Sequence, residues 1–153
     1  MNIETIKAVE AYRALKALKV GSMSDEAMLA VWKNLKVLRP ISETYDKDIE
    51  EVRATLQDEE FEKMQKRVRE AQEVERRAKE EARDMTDAEK REIAEINGWF
   101  AAWNKKGQEY FKELAEKEVK VDIVEIDVEE LLKAFKLSDK TFEEVEKLAW
   151  ITK

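Results

Sequence analysis

The longest apolar pattern of the chain lies in residues 28–56, MLAVWKNLKVLRPISETYDKDIEEVRATL. Its apolar side chains recur at steps of three and four residues, the spacing of one face of an α-helix. The members of this stripe are Met28, Val31, Leu35, Leu38, Ile41, Tyr45, Ile49, Val52 and Leu56. The pattern predicts one long helix with a buried face. Because the stripe keeps its phase through Pro40, we expect a kinked helix rather than a break with a restart at Ser42.

Further helices are expected on both sides of this stretch. The first should run from about Ile3 to Lys19 and end at Gly21. A polar break lies at 57–60. After it, the residues at the apolar positions become smaller, with alanine increasingly frequent, and the residues between them are mostly charged. This pattern is typical of a solvated arm in an antiparallel hairpin. Thr86, followed three residues later by Glu89, fits a capping box and indicates a fresh helix start.

Residues 119–127, VKVDIVEID, alternate β-branched and polar side chains and predict a strand near the C-terminus. Its partner is left open between residues 1–3, another copy of the chain and a binding partner. Two short helices, capped at Asp127 and Ser138, should follow and dock on the rest of the protein. The predicted fold is therefore mainly α: an elongated antiparallel helical hairpin or bundle with one short strand. We expect a single domain with three parts, 1–56, 57–118 and 119–153.

Composition limits the possible functions. The 153 residues include no cysteine and no histidine, which excludes disulfides, thiol chemistry and histidine-dependent catalysis. Net charge is −7, and residues 41–60 carry eight acidic and two basic side chains. Such a balance argues against direct nucleic-acid binding through a broad basic face. Without a long apolar run or a secretory signal, we expect a cytoplasmic protein with no membrane partner.

Two clusters are candidates for partner binding. Five aromatic residues crowd into thirteen positions and form either a hot spot for a partner or a wide core: Trp99, Phe100, Trp103, Tyr110 and Phe111. Lys33, Lys36 and Arg39 are near neighbours along one helix. They form either a basic patch for phosphate or an acidic partner, or an ordinary solvated face.

Acidic residues at helical spacing offer a third possibility, a Mg²⁺ site like those of all-helical nucleotide pyrophosphohydrolases. The residues concerned are Glu80, Glu81, Asp84, Glu92 and Glu95. So many glutamates produce this spacing by chance, and neighbouring arginines compete for the carboxylates. We therefore predict no catalytic, metal-binding or cofactor-binding residue.

Four segments taken in order carry a resemblance to a known family. They are IKAVEAYRALKAL, SDEAMLAVWKNLKVLRPISETYDKDIEEVR, VKVDIVEID and SDKTFEEVEKLAWI. This order resembles a family of small uncharacterised phage and prophage proteins, in which a long helical hairpin precedes a short strand and a C-terminal Trp-Ile or Trp-Leu. The resemblance covers about the first third and the last quarter of the chain. It implies a phage origin and a role in the bacterial host cytoplasm, but no activity.

These observations favour a non-enzymatic protein that acts by protein–protein interaction or assembly, with a homodimer as one form. An alternative is an acidic inhibitor of a host nucleic-acid-binding or defence protein, suggested by residues 41–60. A second alternative is a Mg²⁺-dependent all-α nucleotide hydrolase.

Overall fold

The structure, a computed structural model, describes residues 1–135 and 141–153. It is mainly helical, with one small antiparallel sheet. The strands are β1 (Asn2–Glu4) and β2 (Glu118–Lys120), and the helices are α1 (Thr5–Lys16), α2 (Asp25–Leu56), α3 (Glu59–Glu80), α4 (Asp87–Glu116), α5 (Val128–Phe135) and α6 (Thr141–Lys147). Single 3₁₀ turns cover Val20–Ser22 and Ala149–Ile151. The cap predicted at Ser138 lies outside the described residues.

The chain divides into two compact units. Unit 1 combines Met1–Asp48 with Glu113–Lys153, and unit 2 is the intervening Ile49–Lys112. Unit 1 therefore contains the sheet, α1, α5 and α6. Its core is formed by fully buried side chains from distant parts of the sequence, including Ala8, Val9, Leu15, Leu38, Ile126, Leu131, Leu148 and Ile151. Burial of the last two confirms that the C-terminal segment docks.

The predicted helix over the apolar stripe is confirmed. α2 continues through Pro40, so a break with a restart at Ser42 does not occur. Val31 and Leu38 point into the core of unit 1, as the stripe requires. Pro40 itself is exposed, so the carbonyl that loses its helical donor is on the side of the helix that water can reach.

The strand predicted for 119–127 is wrong beyond Lys120. β2 pairs antiparallel with β1, with Asn2 opposite Lys120 and Glu4 opposite Glu118. The N-terminal residues are thus the strand's partner among the three alternatives. Past Lys120 the pairing continues by one residue, because the Val121 N–H donates to the Met1 carbonyl at 2.9 Å and the Met1 amino group donates to the Val121 carbonyl at 3.1 Å. Farther along, Ile126 forms only an isolated parallel bridge with Thr152.

A side chain replaces a strand as the partner of residue 124. Asn34, fully buried on α2, donates from Nδ2 to the carbonyl of Val124 at 2.7 Å and accepts from the Val124 N–H at 2.7 Å. These two hydrogen bonds satisfy the backbone N–H and carbonyl of Val124, which pair with no strand. They also fix that segment against α2.

Unit 2 contains α3 and most of α4. Arg67 of α3 binds Glu92, whereas Phe61, earlier on α3, stacks on Trp103, later on α4. The later residue of α3 contacts the earlier residue of α4, so the two helices run antiparallel here. The elongated hairpin or bundle expected for the whole chain stays a prediction.

The helix ends of unit 2 follow the predicted signals. α2 ends at Leu56 and α3 begins at Glu59, which confirms the polar break, and the Asp58 side chain accepts from the Phe61 N–H at 2.9 Å. At the start of α4, the Glu89 N–H donates to Thr86 Oγ1 at 3.2 Å, and the Thr86 N–H donates to Glu89 Oε1 at 3.0 Å. The capping box is therefore confirmed.

Candidate interaction surface

Three of the five predicted aromatic residues come together in unit 2. Trp99, Phe100 and Trp103 pack with Phe61, a residue that sequence reasoning did not assign to the cluster. The Phe61 and Trp103 rings stack with centroids 4.9 Å apart, and Trp99 meets Phe100 edge-on at the same distance. These rings are half-buried and cover one another. They form a small apolar core between α3 and α4 more than a free surface.

The polar atoms of this cluster are also satisfied inside unit 2. Trp103 Nε1 donates to the Leu56 carbonyl at 2.8 Å, and Trp99 Nε1 donates to Glu60 Oε1 at 3.1 Å. Buried or half-buried indoles normally find such partners. Both tryptophans are thus held in fixed orientations.

The other two predicted aromatics lie apart from these rings. Tyr110 is 39% exposed, with Lys106 Nζ 5.9 Å from its ring centroid. Phe111 is half-buried farther along α4. In the part of the chain that the structure describes, the ring contacts of the cluster include neither residue. The predicted five-residue site is therefore divided.

A different aromatic residue is open to solvent. Trp32 on α2 is 55% exposed, and Leu29, one turn before it, is 50% exposed. They lie on the face of α2 opposite Val31 and Leu38, which enter the core. The signal was present in the sequence as two large apolar residues off the main stripe, three positions apart. A search for the dominant stripe overlooks them.

The predicted basic residues surround this tryptophan. Lys33, Lys36 and Arg39 are all exposed. Lys36 Nζ lies 4.8 Å from the centroid of the Trp32 ring, a cation–π contact worth about 0.5–1 kcal/mol at an exposed site. The contact favours one orientation of the indole over others.

Two acidic residues extend the same face of the helix. Glu43 and Asp46 follow Arg39 at steps of four and three and are exposed. Asp46 accepts from Arg13 Nη2 of α1 at 2.8 Å, with both side chains more than half exposed. We name the resulting stripe the α2 outer face; it consists of Leu29, Trp32, Lys36, Arg39, Glu43 and Asp46.

A shallow depression borders this face. It is lined by Leu29 and Lys33 of α2, by Val124 and by Glu130 of α5. The Ser24 N–H donates to Glu130 Oε2 at 2.8 Å, and this hydrogen bond, with that of Lys133, lowers the pKa of the Glu130 carboxyl. The depression therefore mixes apolar and charged side chains, and the Glu130 carboxylate in its lining is ionised at neutral pH.

Four of the five acidic residues considered for Mg²⁺ bind arginines instead. Glu92 receives a two-pronged contact from Arg67 at 2.7 and 2.8 Å, which lowers the pKa of the glutamate. The remaining pairs are Glu95 with Arg67, Glu80 with Arg76, and Glu81 with Arg83. Within residues 1–135 and 141–153, no group of three or more Asp, Glu, His or Cys side chains could hold a metal ion.

Comparison of the chain with protein-family models, with curated proteins and with solved structures finds no match. The phage origin implied by the sequence resemblance stays a prediction. None of the described helices combines the length and the apolar character needed to cross a bilayer. The described residues define a mainly helical protein in which the outer face of α2 is partly apolar and open to solvent.

Proposed function

We propose that this protein is a non-enzymatic interaction or assembly protein and that the α2 outer face is its contact surface. The observation that carries the proposal is the exposure of Trp32. Trp32 is 55% exposed and Leu29, one turn earlier, is 50% exposed, so the two form one apolar patch, and such patches mark interaction sites whereas single exposed apolar residues do not. Tryptophan is also among the residues that contribute most to binding energy at interfaces.

The neighbours of Trp32 support this role. Leu29 adds apolar area, and the Lys36 ammonium lies over the face of the Trp32 ring. The charges that follow along the helix can select a partner, because exposed charges influence specificity and association rate more than affinity. With a phage origin, the interaction would take place in the cytoplasm of the bacterial host.

The proposal can be tested by photo-crosslinking in cells that express the full chain. A benzophenone amino acid would replace Trp32, and a matched variant would carry it at Phe142, which is 80% exposed on α6 of the same unit. We expect a discrete covalent adduct from position 32 that disappears when Leu29→Ser is added. No adduct at position 32, or equal labelling at both positions, would overturn the proposal.

A further inference from the structure

Within the α2 outer face, the four charged side chains have an order that is complementary to its own reverse. The first turn of the face is apolar, with Leu29 and Trp32; then come two basic residues and then two acidic ones. The six positions advance by three or four residues throughout, so they stay on one side of the helix. From Leu29 to Asp46 the stripe extends about 26 Å at 1.5 Å per residue.

We propose that a second copy of this chain binds here, with the two α2 helices antiparallel across a two-fold axis. An axis near Ile41 places Arg39 of each copy opposite Glu43 of the other. It also places Lys36 opposite Asp46. A two-fold interface repeats every such contact, so the arrangement makes two pairs of each kind. This inference rests on the proposed function and names its partner.

The alternative orientation is disfavoured by the same charges. In a parallel pairing in register, Lys36 and Arg39 would face their own copies, and so would Glu43 and Asp46. Like charges placed opposite one another oppose association. The charges of the α2 outer face therefore favour the antiparallel orientation in two ways: opposite charges attract in it, and like charges repel in the parallel one.

The contact between Asp46 and Arg13 is compatible with this pairing. Both side chains are more than half exposed, and such surface pairs exchange easily with water or with another charge. Asp46 can therefore accept from Lys36 of the second copy while it stays close to Arg13. Leu29 and Trp32 lie outside these pairs, at the outer end of each copy's stripe, so the charged residues determine the register.

The size of the face determines how strong the association can be. The part of the stripe that pairs, from Lys36 to Asp46, is one helix wide and about 15 Å long, which is far less than the ~1,600 Å² interface typical of stable complexes requires. We therefore expect a monomer–dimer equilibrium that depends on protein concentration. Because the pairs are exposed to solvent, raising the salt concentration should weaken the dimer.

The test uses complementary charge reversals in the full chain. One variant carries Lys36→Glu with Arg39→Glu, and the other carries Glu43→Lys with Asp46→Lys. Molar mass is measured by light scattering across a concentration series, with the fold checked by circular dichroism. We expect each variant alone to dimerise at least tenfold more weakly than the wild-type chain, and an equimolar mixture to recover wild-type affinity.

A matched control separates position from net charge. Arg69→Glu with Lys90→Glu changes the charge by the same amount as the first variant but reverses exposed residues of unit 2. It should dimerise like the wild type. If a reversal impairs folding, the neutral pair Lys36→Gln with Arg39→Gln replaces it and should still weaken the dimer.

The outcomes distinguish the two proposals. A dimer that both reversals leave unchanged would overturn the antiparallel charge register but not the interaction role. A wild-type chain that is monomeric up to millimolar concentration would overturn the second copy as partner. In that case, an adduct from position 32 with a different protein would still support the interaction role.

Discussion

The side chain of Asn34 and the backbone of Val124 exchange two hydrogen bonds of 2.7 Å each, although ninety residues separate them in the sequence. The side-chain amide of Asn34 thereby makes the same pair of hydrogen bonds that the backbone of a residue in a neighbouring antiparallel strand would make. It joins α2 to the segment after β2, where the sheet has ended. Asn34 is fully buried, so water cannot replace either bond at the side chain.

Asn34→Ala should destabilise unit 1. The change leaves the N–H and the carbonyl of Val124 without their partner and removes packing at a closed site. We expect a loss of about 2–4 kcal/mol in the free energy of unfolding. Urea denaturation followed by circular dichroism measures this loss. Asn104→Ala, at an exposed position of α4, is the control, and equal stability of the two variants would contradict the assigned role.

The two glycines of α4 should respond differently to alanine. At Gly98 a new Cβ meets no atom within 4 Å, so Gly98→Ala should stabilise the helix by about 0.5–1 kcal/mol. At Gly107 the Cβ would lie 3.2 Å from Leu56 Cδ1, and that side chain is itself buried. Gly107→Ala should therefore gain less, or lose stability. Thermal unfolding of both variants tests this order, and a larger gain at Gly107 would refute it.

Stability should depend on Glu89 in a specific range of pH. Hydrogen bonds from Arg83 and from the Thr86 N–H lower the pKa of Glu89 from 4.5 to about 2. Because the folded pKa is the lower one, ionised Glu89 stabilises the fold fully above pH 4.5, and this contribution disappears as the pH falls from 4.5 to about 2. Glu89→Gln should therefore be less stable than wild type at pH 7, by a margin that shrinks towards pH 2.

The control for this experiment is Glu62→Gln, an exposed glutamate of α3. Urea midpoints of both variants and of the wild type are compared at several pH values. A difference between Glu89→Gln and wild type that stays constant from pH 7 to pH 2 would contradict the ionic origin of the effect.

Phe61→Ala should disrupt the aromatic cluster. Phe61 contacts Trp99, Phe100 and Trp103, so its removal leaves three rings without a common neighbour. Since the site is only half-buried, we expect a loss of about 2 kcal/mol, below the usual cost for a core phenylalanine. The tryptophan fluorescence should shift to longer wavelength. Phe142→Ala, at an 80% exposed side chain, should change neither quantity.

Periodic patterns and capping signals could be predicted from the sequence because they depend on neighbouring residues. The apolar stripe of α2 and the capping box at Thr86 are examples. The extent of β2 could not be predicted, since the partner strand is far away in the chain and ends after three residues. Asn34 gave no signal either, because one polar residue in a helix does not show which backbone it will meet.

The proposed interaction surface could be predicted only in part from the sequence. Lys33, Lys36 and Arg39 were recognised as neighbours, but Trp32 was not connected with them. The sequence instead favoured the five aromatic residues of α4 as the contact site. Whether such a cluster is buried depends on which other helix packs against it. Here Phe61 of α3 supplies the cover, and local spacing cannot reveal that contact.

The pairing of β1 with β2 has a consequence for folding during synthesis. The sheet closes a loop of about 110 residues, and loop-closure entropy opposes such a contact until both ends exist. A ribosome adding 5–20 residues per second needs about 3–13 s to make unit 2 between the two parts of unit 1. During that interval α1 lacks its contact with α6, and the core of unit 1 lacks Leu131 and Leu148. Unit 2 is contiguous in the chain and can form first, so the nascent N-terminal helices are the segments most in need of a chaperone.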